Sequence, residues 1–109
     1  MQTYILFTKL TPEVLQQMKH RKQIGRNWME QVREKCPEVK FLNHYALLGD
    51  YDFVDIYEAP DDETAAKVSL ISQQNGAVEA KSMPAIPYKR FLELTETLWP
   101  WNIIINGLS

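Results

Sequence analysis

Hydrophobic and polar positions change period several times along the chain, and each change marks an element. In residues 2–9, QTYILFTK, apolar and aromatic side chains fall on both alternating faces, Tyr4, Leu6 and Thr8 against Ile5, Phe7 and Lys9. That pattern predicts a strand covered on both sides. Thr11-Pro12-Glu13 predicts a helix start, with a capping hydroxyl, a proline at the first helical position and an acid beside the positive end of the dipole. The helix is expected to run to about Lys35, where Cys36-Pro37 stops it. Val14, Met18, Trp28, Met29 and Val32 fit one stripe, with Gly25 allowing close packing midway. Lys19, Arg21, Lys22 and Arg26 interrupt that stripe, which either bends the helix or marks its edge.

Residues 39–48, VKFLNHYALL, predict a second strand and residues 53–58 a third, joined by Gly49-Asp50-Tyr51-Asp52, residue types that hairpins favour. Asp61 is a natural N-cap, and Asp62 and Glu63 fall in the first turn of the helix that follows. Asn75-Gly76 ends that helix, and Ala77 to Met83 gives a fourth strand, after which Pro84 and Pro87 confine the chain to an edge or an extended loop. Strand, helix, strand, strand, helix, strand with right-handed crossovers is a ferredoxin-like βαββαβ sandwich of the α+β class: one antiparallel four-stranded sheet with both helices on one face. Residues 1–91 make this domain, and 92–109 are a C-terminal extension, a short helix through Phe91, Leu94 and Leu98 and a possible edge strand at Ile103 to Ile105. That extension packs either on its own subunit or on a partner.

A two-residue turn at Asp50-Tyr51 sets Leu47 opposite Val54, Tyr45 opposite Ile56, Ala46 opposite Asp55 and His44 opposite Tyr57. Phe41, Tyr45, Leu47, Val54 and Ile56 then pack under the helices, and Leu42, His44, Ala46, Leu48, Phe53, Asp55 and Tyr57 share the other face. That second face is too apolar for water, and a second copy of the sheet stacked about 10 Å away is the economical cover. A homodimer or higher homo-oligomer, a dimeric α/β barrel, is the expectation.

The bulk properties narrow the field without adding chemistry. The chain has 109 residues, so one domain is expected, and its 45% hydrophobic content is enough for a core. A net charge of -2 argues against nucleic acid as the partner, and no apolar run approaches the ~20 residues that span a bilayer. The single cysteine, Cys36, and an N-terminus without basic lead or cleavage site fit a cytoplasmic protein.

Gly49-Asp50-Tyr51-Asp52 followed by FVDIYEAPDDETAA, with the opening TYILFTKLT, resembles the GYD-domain family over Gln2 to about Phe91. The resemblance implies a ferredoxin-like dimeric α/β barrel. The wider superfamily holds cofactor-independent monooxygenases, isomerases, haem proteins and non-enzymatic members, so it implies little about activity.

Candidate chemistry gathers on the second and third strands. Residues 47–63 carry seven acids and no Lys or Arg; the helix start accounts for Asp61, Asp62 and Glu63. His44, Asp55 and Tyr57 share one sheet face, where a buried Asp beside a His forms either an acid–base pair or a satisfied polar contact. His44, Asp55 and Tyr51 are the catalytic candidates; Tyr51, Asp52, Tyr57 and Lys81 are the ligand-binding candidates. Lys9 and Lys81, on flanking strands, are possible salt-bridge partners for Asp55. The run Lys19 to Arg26 is either a solvated face or an anion site. No cofactor is expected: His20, His44 and Cys36 lack ligand-like spacing, and there is no Gly-rich phosphate loop. Trp28, Trp99 and Trp101 read as core or interface anchors. Two functions follow: a small-molecule-binding or structural oligomer, and a cofactor-independent monooxygenase or isomerase for a small aromatic or enolisable substrate. Whether the chain is an enzyme stays open at this level.

Overall fold

In the computed structural model, which describes residues 1–98 apart from the Met18 side chain, four antiparallel strands lie in the order β2-β3-β1-β4. They are β1 (Gln2–Leu10), β2 (Lys40–Ala46), β3 (Phe53–Ala59) and β4 (Ala77–Ala85). The helices are α1 (Pro12–Leu15), α2 (Arg21–Lys35), α3 (Asp62–Gln74) and α4 (Tyr88–Leu98). The first six elements of the ferredoxin-like order are thus in place, α1 and α2 together filling the first crossover. β4 continues through Pro84, which an edge strand tolerates because it pairs on one side only.

The expected single helix from Pro12 to Lys35 is broken by a 3-10 turn at Met18–His20. Thr11 caps α1, its Oγ1 accepting the Val14 N–H at 3.3 Å, and its own N–H donates to Gly76 O at 2.9 Å. Gly76, at φ 102°, meets Val14 so closely that a Cβ there would overlap that side chain. The chain is therefore pinned at α1, and the basic run Lys19 to Arg26, with little to bury, is where it turns. Asp61 caps α3 as the sequence predicts, accepting from Thr64 N at 2.8 Å; these Thr64 bonds hold its carboxyl below the ordinary range.

Tyr4, Leu6, Tyr57 and Ala59 from the sheet form the core with Val32 and Cys36 of the first crossover and Ala65, Val68 and Ile71 of α3. So the face under the helices carries Asp55 and Tyr57, and the expected placement of Val54 and Ile56 there is inverted. The predicted register is also corrected: His44 pairs with Asp55, Tyr45 with Val54 and Ala46 with Phe53. Two facts of the backbone cause this. The β2–β3 connection is longer than a two-residue turn, closed by Leu47 N–H to Asp52 O at 2.9 Å, with Gly49 at φ 132°. Leu42 is an extra residue between the Phe41–Tyr57 and Asn43–Ile56 pairs, a bulge that puts Phe41 and His44 on the same face.

The inversion has a physical reason. Tyr4 and Tyr57 stack at 5.5 Å, and each hydroxyl has a partner: Tyr57 donates to Ser82 Oγ at 2.7 Å, and Tyr4 lies 2.6 Å from Asp62 Oδ1 and Gln2 Oε1. A satisfied aromatic buries more area than a Val, so these rings take the inside. The opposite face keeps Ile5, Phe7, Val54 and Ile56 half-covered and Met83 and Tyr45 exposed. α4 buries no residue, and the expected strand at Ile103 to Ile105 lies outside the described residues.

Candidate functional site

The helix layer is not filled evenly. Between α2 and the β2–β3–β1 part of the sheet lies a cavity of about 310 Å³. Its apolar wall includes Leu10, Ile24, Trp28, Met29, Phe41 and Phe53; its polar groups are Thr8, Arg21, His44, Asp55, Ser72 and Asn75. α2 leaves this space because its first half brings Arg21, Ile24 and Gly25 over it where α3 brings Ala65, Val68 and Ile71; Val32 alone is buried from α2 among the described residues.

Three interactions fix the wall. His44 Nδ1 lies 2.5 Å from Asp55 Oδ1, the carboxylate side chain 3% and the imidazole 57% exposed. Burial pushes the Asp55 carboxyl up from its ordinary value, while the charge and hydrogen bond of His44 oppose that rise. The His44 ring stacks on Phe53 at 5.4 Å, and the Arg21 guanidinium sits 4.9 Å from the Phe53 centroid on the ring's account as a cation–π contact. Trp28 donates Nε1–H to Ser72 Oγ at 2.8 Å and meets Phe41 edge-on at 5.1 Å, so it anchors α2 across the cavity to α3 and β2.

The structure thus brings His44 and Asp55 together at a cavity and sets the other candidates elsewhere. Tyr51 packs on Phe7 at 5.2 Å and lies beside Lys81, on the sheet face away from the helices. Tyr51 and then Glu79, 3.6 Å from Lys81 Nζ, raise the Lys81 pKa. Asp52 accepts the Leu10 N–H at 2.7 Å and donates its own N–H to Thr8 O at 2.8 Å, tying the hairpin to β1. Tyr57 is in the packed core beside the cavity, with its pKa pushed up to about 12 chiefly by burial. Lys9 and Lys81 do not reach Asp55, because they leave β1 and β4 on the opposite face; His44 is its partner. Cys36 is buried and burial raises its thiol, which makes it a core residue and not a nucleophile.

Sequence reasoning did not assign Arg21, Ile24, Trp28, Met29 and Phe53 to one site. The signal was present as the break in the helical stripe, since a helix that shows charge and glycine toward a sheet cannot fill the space beneath it. Among the described residues there is no group of three or more His, Cys, Asp or Glu that could hold a metal ion, and no helix long and apolar enough to cross a membrane.

Known proteins of this type bear on the chain as a whole. A protein of Thermus thermophilus named "Glutamine synthetase and cystathionine beta-lyase binding protein" is 33% identical over 88 residues, covering 80% of this chain and 90% of that protein. Among solved structures, one titled "crystal structure of FFRP-DM1" superposes with a TM-score of 0.50 at 19% identity, over 79% of this chain and 100% of that one, which speaks for the fold alone. The sequence matches the GYD domain over residues 4–95, which include both walls of the cavity. The chain is a member of the GYD-domain family.

Proposed function

We propose that this protein is an oligomeric binding protein that holds a small, largely apolar molecule in the cavity beneath α2. The observation that carries this reading is the cavity itself: about 310 Å³, mostly apolar, with a few convergent polar groups. That is the small end of the roughly 300–1,000 Å³ typical of ligand sites. The His44–Asp55 pair supplies a fixed hydrogen-bonding point in an apolar wall, which sets orientation more than affinity. The Thermus relative, named for binding two enzymes, supports a binding role for this chain and adds other proteins to the partners it can be tested against.

Self-association belongs to the same reading. Ile5, Phe7, Val54, Ile56, Tyr45 and Met83 form a contiguous apolar face that no helix of the described chain covers. A second copy of that face is the occupant whose shape and chemistry match it.

An enzyme on the same scaffold is the second reading, favoured by one observation. A buried carboxylate with a raised pKa, hydrogen-bonded to an imidazole inside a cavity, is the arrangement of an acid–base pair. In a cofactor-independent isomerase or monooxygenase it would take a proton from an enolisable or phenolic substrate.

Two measurements test the proposal. Small aromatic and aliphatic fragments titrated into isotope-labelled protein are expected to shift the Trp28 indole N–H and the Met29 methyl; shifts confined to the open sheet face, or none, overturn the ligand site. Light scattering on eluting protein is expected to give a dimer or higher oligomer, and the double variant Val54→Asp, Ile56→Asp a folded monomer. A monomeric parent protein refutes the self-association.

A further inference from the structure

The last helix carries an apolar stripe that its own chain leaves uncovered. Resting on the reading that this protein self-associates, we propose that α4 packs antiparallel against α4 of a second copy, Lys89 of each chain meeting Glu96 of the partner subunit.

Three observations converge on a second copy as the occupant. The first is the stripe. Tyr88, Phe91, Leu92, Thr95 and Leu98 recur at helical spacing, and the Tyr88 and Phe91 rings stack at 6.3 Å. No residue of α4 is buried, and Tyr88 and Leu98 are 73% and 71% exposed. The helix has 11 residues, and isolated helices shorter than roughly 12–15 residues are marginal in water, so it needs packing.

The second is the order of charge. Lys89 and Arg90 stand in the first turn and Glu93 and Glu96 follow, with no acid in the first turn and no base in the last. That order opposes the helix dipole, so a solitary α4 is weakened by it. An antiparallel copy turns the same order into complementarity, each basic end lying beside an acidic end. A parallel copy would set like charges together.

The third is which charges are left over. Arg90 and Glu93 pair within the helix at 3.0 Å, whereas Lys89 and Glu96 have no partner among the described residues. Standing at i and i+7, both flank the stripe on the side of Leu92. About a two-fold axis an antiparallel helix meets its own flank, so two Lys89–Glu96 contacts form at once. A membrane surface suits this helix less, because its polar face carries as many acids as bases.

The contact is small. α4 is about 16 Å long, and one helix pair of that length falls short of the roughly 1,200 Å² that stable interfaces bury. It therefore reinforces the contact through the open sheet face and does not replace it.

Charge reversal separates pairing from helix stability, because the two predict opposite signs. Lys89→Glu puts an acid in the first turn and Glu96→Lys a base near the last, so each improves α4 as a solitary helix. Self-association is read as energy transfer between donor- and acceptor-labelled chains, tagged at the N-terminus and diluted. Each single variant is expected to raise the dissociation constant about tenfold, as two attractive contacts become repulsive. The double variant Lys89→Glu, Glu96→Lys is expected to restore the parent value, and so is an equimolar mixture of the two single variants. A parent that does not self-associate overturns both the reading and the inference. A self-associating parent whose single variants bind equally or more tightly refutes the α4 pairing and leaves the sheet contact standing. Weakening that neither the double variant nor the mixture reverses also refutes it.

Discussion

The two halves of the helix layer lie on one sheet and differ in almost every physical respect. Under α3 the space is closed: Tyr4 and Tyr57 stack, Val68 and Leu6 are fully buried, and the Tyr57 and Ser69 hydroxyls meet at Ser82. Under α2 the same sheet faces a cavity, and the polar groups there are a carboxylate and an imidazole with a guanidinium nearby. The closed half uses small and branched residues at its contact positions, Ala65, Val68, Ile71 and Ser72. The open half has a charged, glycine-containing turn of helix in the equivalent place. Stability is therefore concentrated in one half of the layer, and binding chemistry in the other.

Substitutions that act on one half alone should break this contrast. Val68→Ala removes two fully buried methyl groups from the closed half and is expected to cost about 2–3 kcal/mol in denaturant unfolding, with no change at the cavity. Tyr57→Phe strands the Ser82 contact and is expected to cost about 1–3 kcal/mol. It also has a signature at high pH. Folded Tyr57 holds its proton up to about 12, whereas the unfolded phenol loses it near 10. The folded state therefore binds more protons in that window, and stability falls as pH rises through it. The variant should show a shallower alkaline loss.

The open half titrates at the other end of the scale. Burial raises Asp55, so from its ordinary carboxyl value upward the folded protein holds a proton that the unfolded chain has lost. Stability declines with rising pH across that interval, with smaller amplitude because His44 opposes the shift; Asp55→Asn should flatten the slope in acid denaturation curves. The smallest effect is expected at Gly25, where a Cβ would meet nothing within 4 Å. Gly25→Ala should stabilise α2 by about 0.5–1 kcal/mol, read as a rise in the unfolding midpoint.

Element types and order were legible because caps and stops are local: Thr11-Pro12, Asp61 and Asn75-Gly76 act on the backbone within a turn of themselves. Likewise His44 and Asp55 were legible as neighbours on one face, since strand alternation survives an error of two in register. What was not legible depends on distant partners. Which face the helices cover turns on Ser82, Asp62 and Gln2 meeting the tyrosine hydroxyls, contacts that a hydrophobicity count scores against burial. Tyr51, central to the family motif, was grouped with His44 and Asp55 as a catalytic candidate on sequence grounds and lies on the other face of the sheet from them. The cavity is a property of what α2 lacks, and absence of filling has no motif.

Leu42 holds a further consequence. Because it is a supernumerary residue in β2, the chain places Phe41 and His44 on the same side, where an uninterrupted strand would place Phe41 and Asn43. Removing that residue would leave Phe41–Tyr57, Asn43–Ile56 and His44–Asp55 as consecutive pairs, so the imidazole would keep its place beside Asp55. The bulge thus absorbs one residue of strand length at an exposed position, and a chain shortened there is expected to keep the same carboxylate–imidazole couple.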